Sequence, residues 1–308
     1  MNMKNINQTI AFNHSIQPPL SNAANFKRFK GYYCVISCVK KIDKFDLSYW
    51  VIELSDSSAT IKVFCFNNPL NIHHIKPFGL IHIEATVKEA NGQHYINSAI
   101  VYPVDSAQQL AHFTLSLLPQ AYCHKPELLR RFSTLVKQIH SRVLTRFLAH
   151  VLADNVVSYR YLQCPASLRH HHHYSGGLLE HSIEVAEQLI NQHSVNEKKF
   201  TQKERDIAIV AALLHDIGKT RTLTCDGKRT ALGMMVDHDE LTLEVCASAL
   251  VTLDKTDASS AMLLRHIWAC ATPNARYGYQ AITPIATALH RADHQSANNP
   301  FNLNNKIA

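Results

Sequence analysis

The hydrophobic period of the chain changes once, between residues 104 and 119, and this change predicts two domains of different class. Before it, short segments rich in β-branched and aromatic residues alternate with turn-prone stretches, which is typical of strands. After it, apolar residues recur every three or four positions, which is typical of helices. The strand segments are 31–41, 48–54, 59–66, 79–89 and 94–101, and the helical segments are 125–154, 177–193, 203–219, 239–253, 258–271 and 283–297. We therefore predict an α+β two-domain protein, a small β-barrel followed by an all-α helical bundle.

The barrel is predicted to have five strands within about 75 residues, which fits a five-stranded OB-fold. An SH3-like barrel stays open as an alternative. We place a flexible arm at 1–24, the barrel at 25–106, the helical domain at 119–297 and a flexible tail at 298–308. The arm is rich in Asn, Gln and Ser, a composition that rarely forms a core.

Composition restricts the setting in which the chain works. The net charge of +7 suits an anionic partner. No apolar run approaches the roughly 20 residues needed to cross a bilayer, and the arm lacks the apolar centre of a signal peptide. We therefore expect no membrane partner and a cytoplasmic location. The eight cysteines are scattered without a CxxC pair, so we expect free thiols rather than a disulfide framework.

The most apolar stretch of the helical half, IAIVAALLHDIGK at 207–219, ends in an adjacent imidazole and carboxylate, His215 and Asp216. Eight apolar residues in a row predict a central helix that is buried on every side. Polar side chains at its end are costly to desolvate unless they are paired, and a divalent metal ion pairs with both types.

Further imidazoles and carboxylates lie within or beside the other apolar helical segments, namely His181, His238, His266 and Asp293. Any one of these histidines, taken alone, is more often a surface or hydrogen-bonded core residue than a ligand. Taken together, they predict a metal centre on rigid helices. Imidazole plus carboxylate suits Mn²⁺ first, with Mg²⁺, Fe²⁺, Co²⁺, Ni²⁺ or Zn²⁺ as alternatives.

The order of these residues resembles the signature of the HD superfamily of metal-dependent phosphohydrolases. The segments HHHYSGGLLEHSIEVAE (171–187), LLHDIGKT (213–220) and ALHRADH (288–294) resemble, more specifically, the YhaM-type 3′–5′ exoribonucleases. Those proteins carry an OB-fold before an HD domain, so the resemblance implies that the helical half is an HD domain. Relaxase-like HD domains of mobile elements carry similar segments.

The resemblance also implies roles for individual residues. The metal ligands would be His181, His215, Asp216 and Asp293. The catalytic residues would be Asp216, Lys219 and His238, with Lys219 supplying a point charge near the substrate phosphate. The substrate-binding residues would include His171, His172, Lys219 and His266.

Two adjacent positions depart from the family pattern. Relatives tend to carry a His-His pair five residues beyond the position of His266, and this chain has Ala271-Thr272 there. Without these imidazoles, the chain lacks expected ligands for a second metal ion or expected contacts to the substrate. His266 is the candidate to compensate for them.

The barrel half offers aromatic and basic side chains of the kind that hold single-stranded nucleic acid by stacking and charge. Alternation along a strand sends about half of the aromatic residues inward. We select Tyr33 and Tyr49 as candidates to stack on bases. A docking module for another protein is the alternative use of such a barrel.

These observations lead to one functional hypothesis and two rivals. The hypothesis is a metal-dependent phosphodiesterase acting on single-stranded nucleic acid, with RNA favoured over DNA and degraded from its 3′ end. The first rival is an HD phosphohydrolase of nucleotides or other small phosphorylated molecules. The second is a nucleic-acid-binding protein of a mobile-element or repair complex whose HD site has decayed. Oligomeric state stays open.

Overall fold

The computed structural model describes residues 17–66, 72–90, 92–169, 172–192, 200–271 and 275–297. Residue contacts divide the chain into two units, a barrel unit within 1–54 and 61–104 and a helical unit within 55–60 and 105–308. The finer boundaries of the arm, barrel, helical domain and tail stay predictions. The tail, 298–308, lies outside the described residues.

The barrel unit is a closed ring of five strands. They are β1 (Arg28–Ile42), β2 (Ser48–Ser55), β3 (Thr60–Cys65), β4 (Leu80–Ala90) and β5 (Gln93–Pro103). Their order around the ring is β1-β2-β3-β5-β4. β4 pairs antiparallel with both β1 and β5, and β3 pairs parallel with β5. The ring confirms the small five-stranded barrel that the sequence predicts, and closure leaves no open sheet edge.

Alternation along the strands builds the barrel core. In β4, the side chains of Ile81, Ile83 and Ala85 are buried in the barrel. Glu84, which lies between Ile83 and Ala85, is exposed. The same pattern buries branched side chains of the other strands, including Val35, Ile52, Leu54 and Val63. Because the side-chain period of a strand is two, each strand directs one set of residues into the ring.

The predicted arm is described only in its last third. Residues 1–16 lie outside the described residues. The Gln17 side chain donates to Tyr32 O (2.6 Å) and accepts from Tyr32 N (2.9 Å). A short 3₁₀-helix follows at Leu20–Asn25, and its Leu20 side chain is buried. These described residues are therefore held by the barrel unit.

The helical unit contains nine α-helices among its described residues. They are α1 (Ser106–His112), α2 (Pro126–Lys137), α3 (Arg142–Leu152), α4 (Asn155–Gln163), α5 (Gly177–Gln192), α6 (Gln202–Leu214), α7 (Lys219–Thr222), α8 (His238–Ala269) and α9 (Pro284–Ala297). Together with the ring, they confirm the α+β fold class. None of these helices combines the length and the apolar character that a membrane crossing requires. The cytoplasmic location stays a prediction.

Three helix boundaries differ from the sequence prediction, and the first is the end of the helix predicted at 203–219, because α6 ends at Leu214 and a turn separates it from α7. The single helix predicted at 125–154 is divided, because Ser141 caps α3 by accepting from Leu144 N (3.3 Å). The buried Asp206 carboxylate fixes this break by accepting from Ser141 N (2.7 Å). Conversely, the helices predicted at 239–253 and 258–271 meet within α8, where Asp257 leaves the helical conformation (φ −149°, ψ 74°). The sequence did not predict α1, α4 or α7.

The central helix α6 is buried on every side from Asp206 to Leu214, as its apolar sequence predicts. Its last turn has carbonyl groups without partners inside the helix. The fully buried Tyr161 donates from Oη to Leu213 O (2.7 Å), and Trp268 donates from Nε1 to Ala211 O (3.1 Å). These two bonds fix the helix end that leads into His215.

All eight cysteines are free thiols, as predicted from their spacing. Six of them are buried, and Cys38 and Cys225 are half-buried.

We expect Tyr161→Phe to lower the free energy of unfolding by about 1–2 kcal/mol, because the change removes the buried hydrogen bond from Tyr161 Oη to Leu213 O and leaves the ring in place. Urea unfolding followed by circular dichroism measures the difference. Tyr277→Phe is the matched control, since Tyr277 is 77% exposed in the same unit. Equal midpoints for wild type and Tyr161→Phe would show that the bond contributes nothing to α6.

Candidate metal centre

The turn after α6 carries His215 and Asp216 into the site. Ile217 N donates to Leu214 O (3.0 Å) and Lys219 N donates to Asp216 O (2.9 Å). These tight turns join α6 to α7 without an intervening loop. The Asp216 side chain is consequently held inside the helical unit, with only 4% of the residue exposed.

Gly218 allows the next helix to approach this turn. A Cβ atom on Gly218 would lie 2.0 Å from His238 O, which is well inside van der Waals contact. Gly218 N also donates to Thr242 Oγ1 (3.2 Å) on the first turns of α8. Glycine is therefore required here for close approach, and it places His238 beside Asp216.

A first group of donor atoms comes from three helices. His181 of α5, His215 at the end of α6 and Asp293 of α9 place their donor atoms within 4.8 Å of one another. The Asp293 Oδ1 atom lies 3.1 Å from His181 Nε2 and 3.6 Å from His215 Nε2. The sequence predicts this convergence, although the three residues span more than 110 positions of the chain.

The Asp216 carboxylate lies between this first group and a second one. Its Oδ2 atom is 3.4 Å from His181 Nε2 and 3.5 Å from His215 Nε2. Its Oδ1 atom is 3.2 Å from His238 Nε2. Asp216, His238 and Asp239 place their donor atoms within 4.8 Å of one another and form the second group.

Hydrogen bonds at Nδ1 orient the imidazole rings. His215 Nδ1 donates to Ala212 O (2.8 Å). His181 Nδ1 lies 3.1 Å from Ser296 Oγ, whose own proton goes to Glu184 Oε2 (3.0 Å), so Nδ1 is the donor. In both rings Nε2 is then the atom that faces the carboxylates. A ring nitrogen fixed in this way is the usual arrangement of a metal-binding histidine.

His238 is oriented in the same manner by a carboxylate. Its Nδ1 atom lies 2.5 Å from Asp237 Oδ1, and its Nε2 atom lies 3.3 Å from Asp239 Oδ1. The ring therefore presents Nε2 to the second group while its other nitrogen is held by the residue that precedes α8.

The donor set fits a divalent cation. The buried His215 Nε2 atom has no hydrogen-bond partner among the described residues. A lone pair there would face the anionic oxygens of Asp216 and Asp293, so either a proton on Nε2 or a metal cation between the three groups is needed to stabilise them. Imidazole and carboxylate donors together suit Mn²⁺, Fe²⁺ or Zn²⁺.

The charges within the site perturb its acids and bases. Burial opposes ionisation of Asp216, but Lys219 and His215 hold the pKa of its carboxyl well below the usual range. Burial likewise opposes the charged form of His215, yet the neighbouring Asp216 and Asp293 raise the pKa of this imidazole to about 9. In the metal-free protein at neutral pH, the carboxylates are therefore ionised and the cationic imidazole compensates them.

The double glycine before α5 positions a further histidine. Gly176 has φ +79°, and a Cβ on Gly177 would lie 2.1 Å from His172 O. His172 is fully buried, with Nε2 3.3 Å from Glu184 Oε1 and its ring 5.5 Å from that of His181. The structure therefore brings His172 beside the first donor group. His171 lies outside the described residues.

Two other predicted site residues have defined positions. Lys219 Nζ lies 2.6 Å from Asp216 Oδ2, so its charge is directed at the shared carboxylate. His266 Nε2 accepts from Ile282 N (3.2 Å), and His266 is in neither donor group. At the departure from the family pattern, Ala271 N donates to Tyr279 O (2.8 Å), and Thr272 lies outside the described residues.

Tyr33 and Tyr49, the two tyrosines predicted to stack on bases, differ in exposure. Tyr33 is fully buried and donates from Oη to Pro18 O (2.8 Å), so its ring cannot reach a base, and the expectation that it stacks is corrected. Alternation along β1 turns this ring inward. Tyr49 is half-buried and belongs to a cluster of rings on the barrel surface. We call Tyr49, Phe64, Phe66 and Tyr95 the aromatic cluster, whose neighbouring ring centroids are 5.5–6.5 Å apart.

Some residues of the centre were not selected from the sequence. Asp239 follows His238 directly, and its acidic side chain at the start of a predicted helix was the available signal. Glu184 and Ser296 each lie three positions after a selected ligand, on the same helix face. That spacing places Glu184 and Ser296 beside the ligands, but it does not indicate that Ser296 contacts His181 and Glu184 of another helix.

Comparison with known proteins gives a family match within the helical unit and longer matches along most of the chain. The family model of the HD domain matches residues 178–298 and so confirms the resemblance of the helical unit. Dihydroneopterin 2′,3′-cyclic phosphate phosphodiesterase of Methanocaldococcus jannaschii is 34% identical over 96 residues, which cover 31% of this chain and 37% of that protein.

Two proteins that match over longer stretches of the chain are both named 3′–5′ exoribonuclease YhaM. The protein of Shouchella clausii is 22% identical over 276 residues, which cover 87% of this chain and 82% of that protein. The protein of Halalkalibacterium halodurans is 18% identical over 212 residues, covering 68% and 64% respectively.

We expect Gly218→Ala to weaken Mn²⁺ binding at least about tenfold, because the added Cβ displaces the start of α8 from Asp216 and an ångström-scale shift spoils ligand geometry. Isothermal titration calorimetry measures the affinity. Gly227→Ala is the control. Gly227 has φ +75° with open space around its Cβ position, so the variant has backbone strain without a clash. Unchanged Mn²⁺ affinity in a folded Gly218→Ala protein would contradict this reading of the turn.

Proposed function

We propose that this chain, whose helical unit contains an HD domain, is a metal-dependent phosphodiesterase that degrades single-stranded RNA from its 3′ end. The observation that carries the proposal is the convergence of His181, His215, Asp216 and Asp293 with the Lys219 ammonium group. Such a set combines ligands for a cation with a positive charge for a phosphate. Similarity to YhaM exoribonucleases along most of the chain supports the choice of reaction.

In this proposal, His181, His215, Asp216 and Asp293 hold a divalent ion, with Mn²⁺ as the first choice. A bound ion of this kind lowers the pKa of water and neutralises phosphate oxygens. His238 and Asp239, together with the other oxygen of Asp216, would hold a second ion. Asp239 would then supply a ligand in place of the imidazole pair that is absent at 271–272.

The remaining residues position the substrate. Lys219 contributes a point charge to a phosphate beside Asp216. His172 packs against the first donor group through its contact with Glu184 and fixes the wall next to His181. Among the three histidines of the two donor groups, His238 has the most exposed side chain, and it is the one that the substrate would meet first.

Support for a nucleic-acid substrate comes from the aromatic cluster. Phe66 is 53% exposed, and its ring is parallel to that of Phe64, with an interplanar angle of 8°. A parallel pair of rings on a five-stranded barrel, with Phe66 exposed and Phe64 half-buried, supports a surface on which bases would stack. The basic net charge favours binding of the phosphate backbone.

The test is a gel with two 5′-labelled single-stranded RNAs that differ only in a 3′-terminal phosphate. We expect a ladder from the RNA with a free 3′ end, in Mn²⁺ and not in chelator. Asp216→Ala should abolish the ladder and lower the metal content without loss of helix signal, because the variant removes the shared carboxylate. Asp226→Ala is the matched control, since Asp226 forms a surface ion pair with Lys228. Turnover retained by Asp216→Ala would exclude the proposed mechanism.

We expect Phe66→Ala to weaken binding of single-stranded RNA by about 1–3 kcal/mol, because stacking on one base is lost. Fluorescence anisotropy with Asp216→Ala as the background measures binding without cleavage. Tyr102→Ala is the control, since Tyr102 is a similarly exposed barrel residue outside the aromatic cluster. An equal loss of RNA affinity in Phe66→Ala and Tyr102→Ala would show that the aromatic cluster is not a specific binding surface for bases.

A second candidate function has its own support. Over 96 residues the chain is similar to a 2′,3′-cyclic phosphate phosphodiesterase, which favours a small cyclic phosphate as substrate. Nucleoside 2′,3′-cyclic phosphates in the same assay separate the two reactions, since their hydrolysis without an RNA ladder would favour the small substrate. A shifted RNA band with no hydrolysis of either substrate would favour a binding protein with a decayed site.

A further inference from the structure

Two cysteines of the helical unit, distant in sequence, have their sulfur atoms in contact. Cys164 Sγ and Cys225 Sγ are 3.7 Å apart, although 61 positions separate the residues. Cys164 follows the last residue of α4, and Cys225 lies in the turn after α7. Neither is used by the proposed hydrolytic site.

The two thiols differ in access to solvent. Leu223 and Arg229 form a small antiparallel bridge, and Thr224 N donates to Lys228 O (2.8 Å) between them. This tight turn presents Cys225 at a half-buried position, whereas Cys164 is fully buried behind it. An outer thiol is thus accessible to a reagent, and an inner thiol lies next to it.

The environment also makes the outer thiol the more reactive one. The contact with Cys164 and the nearby Arg160, against the opposing effect of burial, lower the pKa of Cys225 to about 7. Burial raises the pKa of Cys34, Cys65 and Cys246 to about 12. Only a thiolate attacks an oxidant, so Cys225 is the nucleophile among the eight cysteines at neutral pH.

We propose that Cys164 and Cys225 form an oxidation site at which a peroxide converts the two thiols into a reversible disulfide. The Cys225 thiolate attacks one peroxide oxygen, the O–O bond breaks, and the leaving hydroxide takes up a proton to become water. The sulfenic acid on Cys225 is then attacked by the Cys164 sulfur, which gives up its proton. The S–O bond breaks as the S–S bond forms, and a second water leaves. Two electrons pass from the thiols to the peroxide.

The required movement is small. The sulfur atoms must close from 3.7 Å to a bond length of about 2.05 Å. The turn at 223–229 can supply this shift, because it is tethered mainly by its own backbone bonds. Cys164 O accepts from Leu178 N (3.0 Å) at the start of α5, the helix that carries His181. The disulfide would therefore link the start of α5 to the turn that follows α7, the helix that begins at Lys219.

The test uses the wild-type full chain, treated with stoichiometric hydrogen peroxide, alkylated and digested with trypsin without reduction. We expect loss of two free thiols per chain and a cross-linked pair of peptides, residues 161–169 with 222–228. The pair should disappear after treatment with dithiothreitol. Before oxidation, alkylation of Cys225 at pH 7 should be more than about tenfold faster than that of Cys38.

Cys225→Ser should abolish the cross-link, and Cys38→Ser is the matched control because Cys38 is the other half-buried cysteine. Peroxide treatment that leaves Cys225 reduced, or that oxidises it to a sulfinic acid without the cross-link, would overturn the proposal. Mapping is done on the native chain, so misfolding of a variant does not decide the outcome. The result is independent of whether the chain hydrolyses RNA.

Discussion

The buried carboxylate of Asp216 is the group on which the arrangement of the metal centre depends. Taking an ionised carboxylate out of water costs several kcal/mol unless positive charge and hydrogen bonds surround it. Lys219 meets one oxygen at 2.6 Å and His238 meets the other at 3.2 Å. Each helix that ends or begins near Asp216 therefore contributes a compensating group, and the positions of those groups follow from the need to neutralise one charge.

The same constraint explains why the carboxylate is at the end of α6 rather than within it. The second half of α6 is apolar, and the helix packs on every side from Asp206 to Leu214, so close packing fixes the position of its C-terminal end. Its C-terminus carries partial negative charge, which adds to the charge of Asp216 and increases the demand for a cation. Lys219 meets that demand in the metal-free chain. The residues of the first donor group and Asp216 would hold a divalent ion, and with Asp216 neutralised in this way the Lys219 ammonium would be available to a phosphate.

The strands of the barrel, the burial of α6 and the presence of a metal-binding pair could be predicted from the sequence. The strands of the barrel and the burial of α6 follow from local periodicity, and His215-Asp216 is an adjacent pair. Periodicity does not say which face of β1 turns inward, so it did not exclude Tyr33. The break before Ser141 depends on Asp206, 65 positions away, and the Ser296–Glu184 contact joins residues 112 positions apart. Contacts of this length are set by packing and have no local signal.

The position of Asp239 changes the meaning of the departure at Ala271-Thr272. A missing imidazole pair argues for a decayed site only if no other residue offers donor atoms beside the first donor group. Asp216 Oδ1, His238 and Asp239 form such a group, and Asp237 orients the histidine from the opposite side. A carboxylate in place of imidazole makes the group more anionic and a harder ligand, which shifts preference toward oxygen-seeking ions such as Mn²⁺ or Mg²⁺. On the proposal that Asp239 is a ligand, the substitution at 271–272 would change the ion preference of the centre rather than remove its function.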